Sequence, residues 1–336
     1  MIENFILISI IFVTNFFFKK INFLLNSTGQ QHQFYNQNSK VPLTGGFFIL
    51  LFILVNYLHF SNLLIIFLII FFSLGLMADI NFIKSASYRF FIQLLLIILF
   101  IISLKISISD IRIEFINILL NNNSFNIFFV AFCFLVLING TNFIDGNNGN
   151  TLGYYIIVLS SLLFLSLSNV AIYENIILTK FIIFLIILYL FNIFNRFYLG
   201  DNGVYILSIL VGYLIIDFIN KNINISPYFI VNVLWYPAFE ILFSLVRKIK
   251  SKYSPLMPDT LHFHQLLFYF LSKKTRINKV FINSLTGLCL NLINGVFVFT
   301  ASMFIFNTKA QILLLSLMII FYVIFYRLFF KFKFSK

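Results

Sequence analysis

Apolar runs of bilayer-spanning length recur along the chain, separated only by short polar patches. A helix needs roughly 20 mostly apolar residues to cross the hydrocarbon core. No water reaches backbone N–H and C=O groups there, so a spanning segment must satisfy its own, as a helix does. The runs are too continuous for the alternating pattern of a barrel strand. The chain is 61% hydrophobic and 10% charged, with 49 Phe among 336 residues, which excludes an ordinary soluble globule. The expected class is an all-α polytopic integral membrane protein, a single transmembrane domain over residues 1–336.

Eleven spans are expected, at 2–18, 44–60, 61–77, 88–108, 126–140, 151–168, 175–192, 203–220, 225–246, 280–303 and 310–330. The weakest boundary falls between the second and third, where Asn56, His59, Ser61 and Asn62 are the only polar residues. The first run lacks a basic leader and a small-residue cleavage site and is expected to be a retained span. Cys133 and Cys289 lie in apolar runs without C-x-x-C spacing and read as small buried hydrophobes. The net charge of +13 flanks apolar spans, which points to membrane orientation and not to nucleic acid.

Between these spans, eighteen Lys and Arg fall on one side and five (Lys105, Arg112, Lys180, Lys221, Lys309) on the other. By the positive-inside rule the first side is cytoplasmic, with the N-terminus outside and the C-terminus inside. Four of the ten acids, Asp79, Asp145, Asp201 and Asp259, then sit in polar patches on that cytoplasmic side. Ordinary connectors should scatter over both faces. The grouping points to a magnesium and pyrophosphate site at one membrane face.

The richest patch is N-G-T-N-F-I-D-G-N-N-G at 139–149, with three glycines and four asparagines. Such residues allow positive φ and close backbone approach to a ligand; they also favour helix caps. Asn142 and Asp145, three apart, would share a helical face. Asp201, in Y-L-G-D-N-G, is either an N-cap or a ligand for a hard cation, since Mg²⁺ takes one or two carboxylates plus substrate phosphates. Asp79 ends an apolar helix, and Arg89 near the interface either snorkels or meets phosphate. The patch at 258–265 carries His262 and His264, too few for zinc and better suited to a diphosphate. Glu240 lies deep in the ninth span, where an acid is a functional candidate by default, beside an equally open structural role.

These motifs together resemble the glycosyltransferase 4 family, the polyprenyl-phosphate N-acetylhexosamine-1-phosphate transferases together with phospho-N-acetylmuramoyl-pentapeptide transferase. The resemblance rests on P-L-T-G-G (42–46), L-G-L-M-A-D (74–79), N-x-x-N-F-I-D-G-x-x-G (139–149), F-N (191–192) with L-G-D-x-G (199–203), and P-D-x-x-H-x-H (258–264). It implies transfer of a sugar-1-phosphate from a UDP-linked amino sugar to undecaprenyl phosphate, releasing UMP, with Mg²⁺ or Mn²⁺. The setting it implies is a multi-pass protein of a bacterial inner membrane, in contact with membrane lipid, with a homodimer open. By motif, Asp201 would hold metal and Asp79 would lie near the lipid phosphate. Asn142 and Asp145 would line the nucleotide-sugar site, and His262 and His264 would hold diphosphate or sugar. Lys40, Arg89, Asn148 and Asn192 complete the substrate-binding expectation, Asn192 on the uridine side. Ala78, Asn148 and Gln265 depart from the family's two acids and third His. These departures favour a surface-polysaccharide or glycoconjugate enzyme over the peptidoglycan one. In-line attack by the lipid phosphate is the expected route, with an aspartyl-phosphate route left open. A transporter, the rival from another class, would place its polar residues near the midplane on broken helices.

Overall fold

The computed structural model describes residues 2–25, 41–252, 254 and 259–335. Among them no strand forms, and the chain runs through α1 (Ile2–Lys20), α2 (Gly45–Val55), α3 (Asn62–Asp79), α4 (Ala86–Leu104) and α5 (Glu114–Leu120). It continues through α6 (Asn123–Ile144), α7 (Asn150–Leu167), α8 (Asn175–Ile193), α9 (Gly200–Lys221) and α10 (Pro227–Val233). The last are α11 (Trp235–Lys250), α12 (Phe263–Lys274), α13 (Lys279–Met303) and α14 (Thr308–Phe334). Polar residues mark the starts. Ser61, Asn122 and Asn307 accept hydrogen bonds from the N–H groups of Leu64, Phe125 and Ala310, capping α3, α6 and α14.

Among the described residues, eight helices (α3, α4, α6, α7, α8, α9, α13 and α14) are long and apolar enough to span, or nine if the bent pair α10–α11 counts as one. This is the multi-pass architecture expected of the composition. Helix α9 is the axis: 83% of its apolar window is buried, against 17% for α14 and 22% for α4. It packs on α3, α2 and α6. Lipid is as apolar as the helix surfaces, so close packing and hydrogen bonds, not hydrophobic expulsion, hold such helices together.

Of the eleven expected spans, 2–18 forms α1, which is not among these eight helices, and two others differ in shape. The 44–60 run divides into α2 and a 3-10 turn at Tyr57–His59; eleven residues of helix reach about 17 Å, short of the roughly 30 Å core. The 225–246 run breaks at Leu234 with a bend of 73°. The cause lies three residues on, at Pro237. Its ring lacks an N–H and collides with the carbonyl of the residue four before it, which is Val233, where α10 ends. The Tyr154 hydroxyl takes over as donor, 2.7 Å from the Val233 carbonyl. Helices α5 and α12 fall outside every expected span.

Candidate active site

A carboxylate at the C-terminus of a helix faces the negative end of the dipole. Asp79 closes α3 in that position, and its compensation comes from another helix. Its Oδ1 accepts the backbone N–H of Asp201 at 2.9 Å and its Oδ2 that of Asn202 at 2.9 Å. The Asn202 side-chain amide donates to Oδ2 as well. Asp79 therefore caps α9 from outside, and two of the first α9 amides serve a carboxylate of the chain itself. The helices approach this closely because Gly75 has no side chain: a Cβ there would lie 2.5 Å from Asn202 Cα. Gly200, at φ +72°, turns the chain into α9. Asn202, fully buried, also donates to the Leu43 carbonyl at 3.0 Å and accepts from the Gly46 N–H at 2.8 Å. The motifs at 42–46, 74–79 and 199–203 thus meet at one junction.

Asp201 points out of that junction. Its Oδ2 receives Arg89 Nη1 at 2.8 Å and its Oδ1 receives Asn142 Nδ2 at 2.6 Å. The carboxylate remains 21% exposed and the guanidinium side chain 30%, so both can meet a ligand. Asp145 follows α6 directly. Burial pushes its carboxyl well above the ordinary value, and the negative charges of Asp201 and Asp79 push the same way. Three carboxylates thus share a region with one guanidinium, an arrangement that favours further positive charge.

From Phe143 to Gly149 the chain turns Phe143, Gly146, Asn147 and Asn148 to a different wall. The Phe143 ring meets the edge of His262 at 4.8 Å, and Lys248 Nζ lies 5.8 Å from its centroid. Asn147 donates to Asn283 on α13. Asn148, where the family has an acid, is buried and turns its amide towards the oxygens of Asn195 (3.4 Å) and Ser284 (3.5 Å). Asn192 is engaged at both ends, accepting from Gly149 N–H at 2.5 Å and donating to the Phe197 carbonyl at 2.9 Å. Its amide thereby ties the 149 turn to the segment after α8.

Beyond the loop stand the histidines. Asp259 pairs with Arg247 at 2.7 Å, with Lys248 Nζ at 3.9 Å. Burial works to raise its carboxyl, yet His262, the Leu261 N–H and Arg247 outweigh it and hold it below its ordinary value. His264 is 1% exposed and neither ring nitrogen has a hydrogen-bond partner. It lies against Gly146, where a Cβ would come within 2.1 Å of Nε2. Burial, and then the neighbouring His262, push it down to about 3, so it is a neutral imidazole at ordinary pH. Gln265, in the third-His position, accepts from the His262 N–H at 3.1 Å and helps start α12.

The family model described as Glycosyl transferase family 4 matches residues 61–219. Over this segment the chain is similar to that family. No curated relative matches it.

The glycosyl transferase match runs from α3 almost to the end of α9, enclosing Asp79, Arg89, Asn142, Asp145, Asn148, Asn192 and Asp201. It marks the chain as a transferase. The histidine loop lies beyond the matched segment, and its place beside Phe143 and Gly146 comes from geometry alone. Lys40 and Pro258 lie outside the described residues. Three residues of this region escaped the sequence reading as individual candidates: Asn202, Arg247 and Lys248. Asn202 carries no signal beyond its place next to Asp201, and the two cations were hidden among eight basic residues of one loop.

Proposed function

We propose that this transferase moves an N-acetylhexosamine-1-phosphate from a UDP-linked sugar to undecaprenyl phosphate, releasing UMP, on the cytoplasmic face of a bacterial inner membrane. The product would begin a surface polysaccharide or glycoconjugate. The observation that carries this reading is Asp201, held between Arg89 and Asn142 at the ends of apolar helices with Asp145 beside it. Such a centre suits a substrate with one end in lipid and a phosphate at the interface.

The residues fit a divalent cation. Each Asp201 oxygen accepts one donor and keeps a second lone-pair site, and the partial exposure of the carboxylate leaves that site open. Asp145 adds charge within range. Among the described residues no group of three or more His, Cys, Asp or Glu could hold a metal, and Mg²⁺ needs none, because it prefers one or two carboxylates with phosphates and water. Asp201 would therefore be the ligand, and bound Mg²⁺ or Mn²⁺ would neutralise the phosphates.

The chain's own groups supply position and charge, which is most of what phosphoryl transfer requires. Asp79 fixes the start of α9 and so the backbone of Asp201. Asn142 orients the Asp201 carboxylate. Arg89, bound through one nitrogen, keeps the rest of its donor fork for a phosphate. Lys248 and Arg247 add cationic groups for the diphosphate on the other side of the loop, and His262 adds a hydrogen-bonding group for the sugar. A lipid phosphate, with a second pKa near 6, arrives mostly ionised, so direct in-line attack needs little help from a base.

The test is transfer in membranes carrying the full chain, given radiolabelled UDP-N-acetylhexosamines, undecaprenyl phosphate and Mg²⁺. Lipid-linked sugar and UMP are expected; none from any of these donors overturns the reading. Asp201→Asn should insert normally and lose turnover. Wild-type turnover in that variant removes Asp201 from the metal role.

A further inference from the structure

Glu240 is used by none of the steps above. It lies on α11 just past the bend, 1% exposed, where an unpaired carboxylate would be very costly. Its partners are specific. Oε1 is 3.0 Å from His262 Nδ1 and 3.2 Å from the Phe263 N–H, and Oε2 accepts the Tyr322 hydroxyl of α14 at 2.7 Å. A carboxylate only accepts hydrogen bonds, so the proton facing Glu240 belongs to Nδ1 of the imidazole. The other ring nitrogen, Nε2, has Asp259 Oδ1 at 3.6 Å, beyond hydrogen-bond length. The ring plane is held by the edge contact with Phe143 and by stacking on His264, 8° from parallel at 5.7 Å.

From this geometry we infer that Glu240 is a positioning residue that fixes the His262 tautomer, proton on Nδ1, and leaves Nε2 as the atom offered to substrate. The partner of one ring nitrogen decides what the other can do. Here that partner is a buried acid just past the α10–α11 bend, clamped in turn by the last helix. A purely structural Glu240 would cap α12 through Phe263 and be indifferent to the state of the ring. Only the activity arm of the test below rests on the proposed transfer reaction.

The experiment is ¹⁵N-histidine NMR on the purified full chain in nanodiscs near neutral pH, with the His262 signal identified by its loss in His262→Asn. Wild type is expected to show the Nδ1–H form. Glu240→Gln, whose amide can donate as well as accept, is expected to shift His262 to a mixture containing the Nε2–H form. It should also lower kcat about 10–100-fold, the usual cost of losing a partner that orients a functional histidine, with KM for the UDP-sugar little changed. Glu240→Asp, which withdraws the carboxylate by one methylene, should shift the signal the same way and serves where Gln is not tolerated. Tyr322→Phe keeps the carboxylate on Nδ1 and should leave the tautomer as in wild type. A wild-type His262 in the Nε2–H form, or a signal unmoved by both Glu240 variants, overturns the inference. An equal shift in Tyr322→Phe also overturns it, since packing alone would then explain the response. If no sugar phosphate is transferred but the signal responds to Glu240, the transfer reading fails and the positioning role stands.

Discussion

At the residue scale, Asp79 has one orientation that satisfies it. Two backbone amides and one side-chain amide converge on its carboxylate, and the positive end of the α9 dipole lies among them. Asp79→Asn keeps the shape but turns one acceptor into a donor that faces N–H groups. It should cost about 1–3 kcal/mol, the range for an unsatisfied buried polar group, read as a lower Tm in detergent. Turnover should fall with it because Asp201 loses its fixed backbone. His264 supports a prediction of pH dependence. Its folded-state value is pushed down to about 3 from an ordinary 6.5, so its contribution to stability is present above 6.5 and is lost as pH falls. Between pH 7 and 5 the unfolded chain gains a proton there that the folded one refuses, at a cost of about 2 kcal/mol. The Tm of wild type should decline over that interval, and His264→Asn should flatten the decline; an unchanged slope would show that other groups carry it.

At the scale of elements, the bend between α10 and α11 aims α11 so that Glu240 meets His262. It depends on a proline that removes a donor and on a tyrosine from α7 that replaces it. Tyr154→Phe should cost about 1–3 kcal/mol by orphaning the Val233 carbonyl. Pro237→Ala restores an N–H at the position that would serve the same carbonyl. The double variant should therefore lose less than the sum of the two single changes, a coupling of about 0.5–3 kcal/mol for groups sharing one partner, measured by thermal unfolding of all four proteins. The bend also shows which parts of the fold were legible. Runs of apolar residues announce a membrane helix by themselves, because lipid allows them no other backbone solution. A break depends on who donates to one carbonyl, and Tyr154 lies 79 positions from Val233, where no local pattern reaches. The same holds for the site. Polar patches in an acid-poor chain marked Asp79, Asp145 and Asp201 as a group, yet nothing local could say that Asp79 would cap α9 or that Asn192 would hold the 149 turn. Those roles belong to helix ends that meet only in the folded chain.

At the scale of the whole molecule, helix ends sort into two sets. One gathers the C-terminal ends of α3 and α6 with the N-terminal ends of α2 and α9, around Asp79, Asp201 and Asn142. The other is tied by Arg112, whose guanidinium donates to the carbonyls of Asn224 (2.9 Å) and Phe306 (3.4 Å) and to the Thr308 hydroxyl, and by Asn220, which donates to the Ser107 carbonyl at 3.1 Å. Helix α9 begins in the first set and ends near the second, and its 22 residues reach about 33 Å, enough to cross the hydrocarbon core. Lys84 and Arg89 lie at the start of α4 in the first set, while Lys105, Lys221 and Lys309 lie in the second. The positive-inside bias therefore makes a prediction about the active centre as well as about loops: the Asp201 end faces the cytoplasm, where nucleotide sugars are found. Single cysteines placed by Lys84→Cys and Lys309→Cys, in a chain with Cys133 and Cys289 changed to Ala, should divide cleanly with a membrane-impermeant thiol reagent on intact cells. Position 309 should label from outside, and position 84 only after the membrane is opened. The reverse pattern would put the carboxylate centre outside the cell, away from any UDP-sugar, and would remove the donor proposed here along with the orientation.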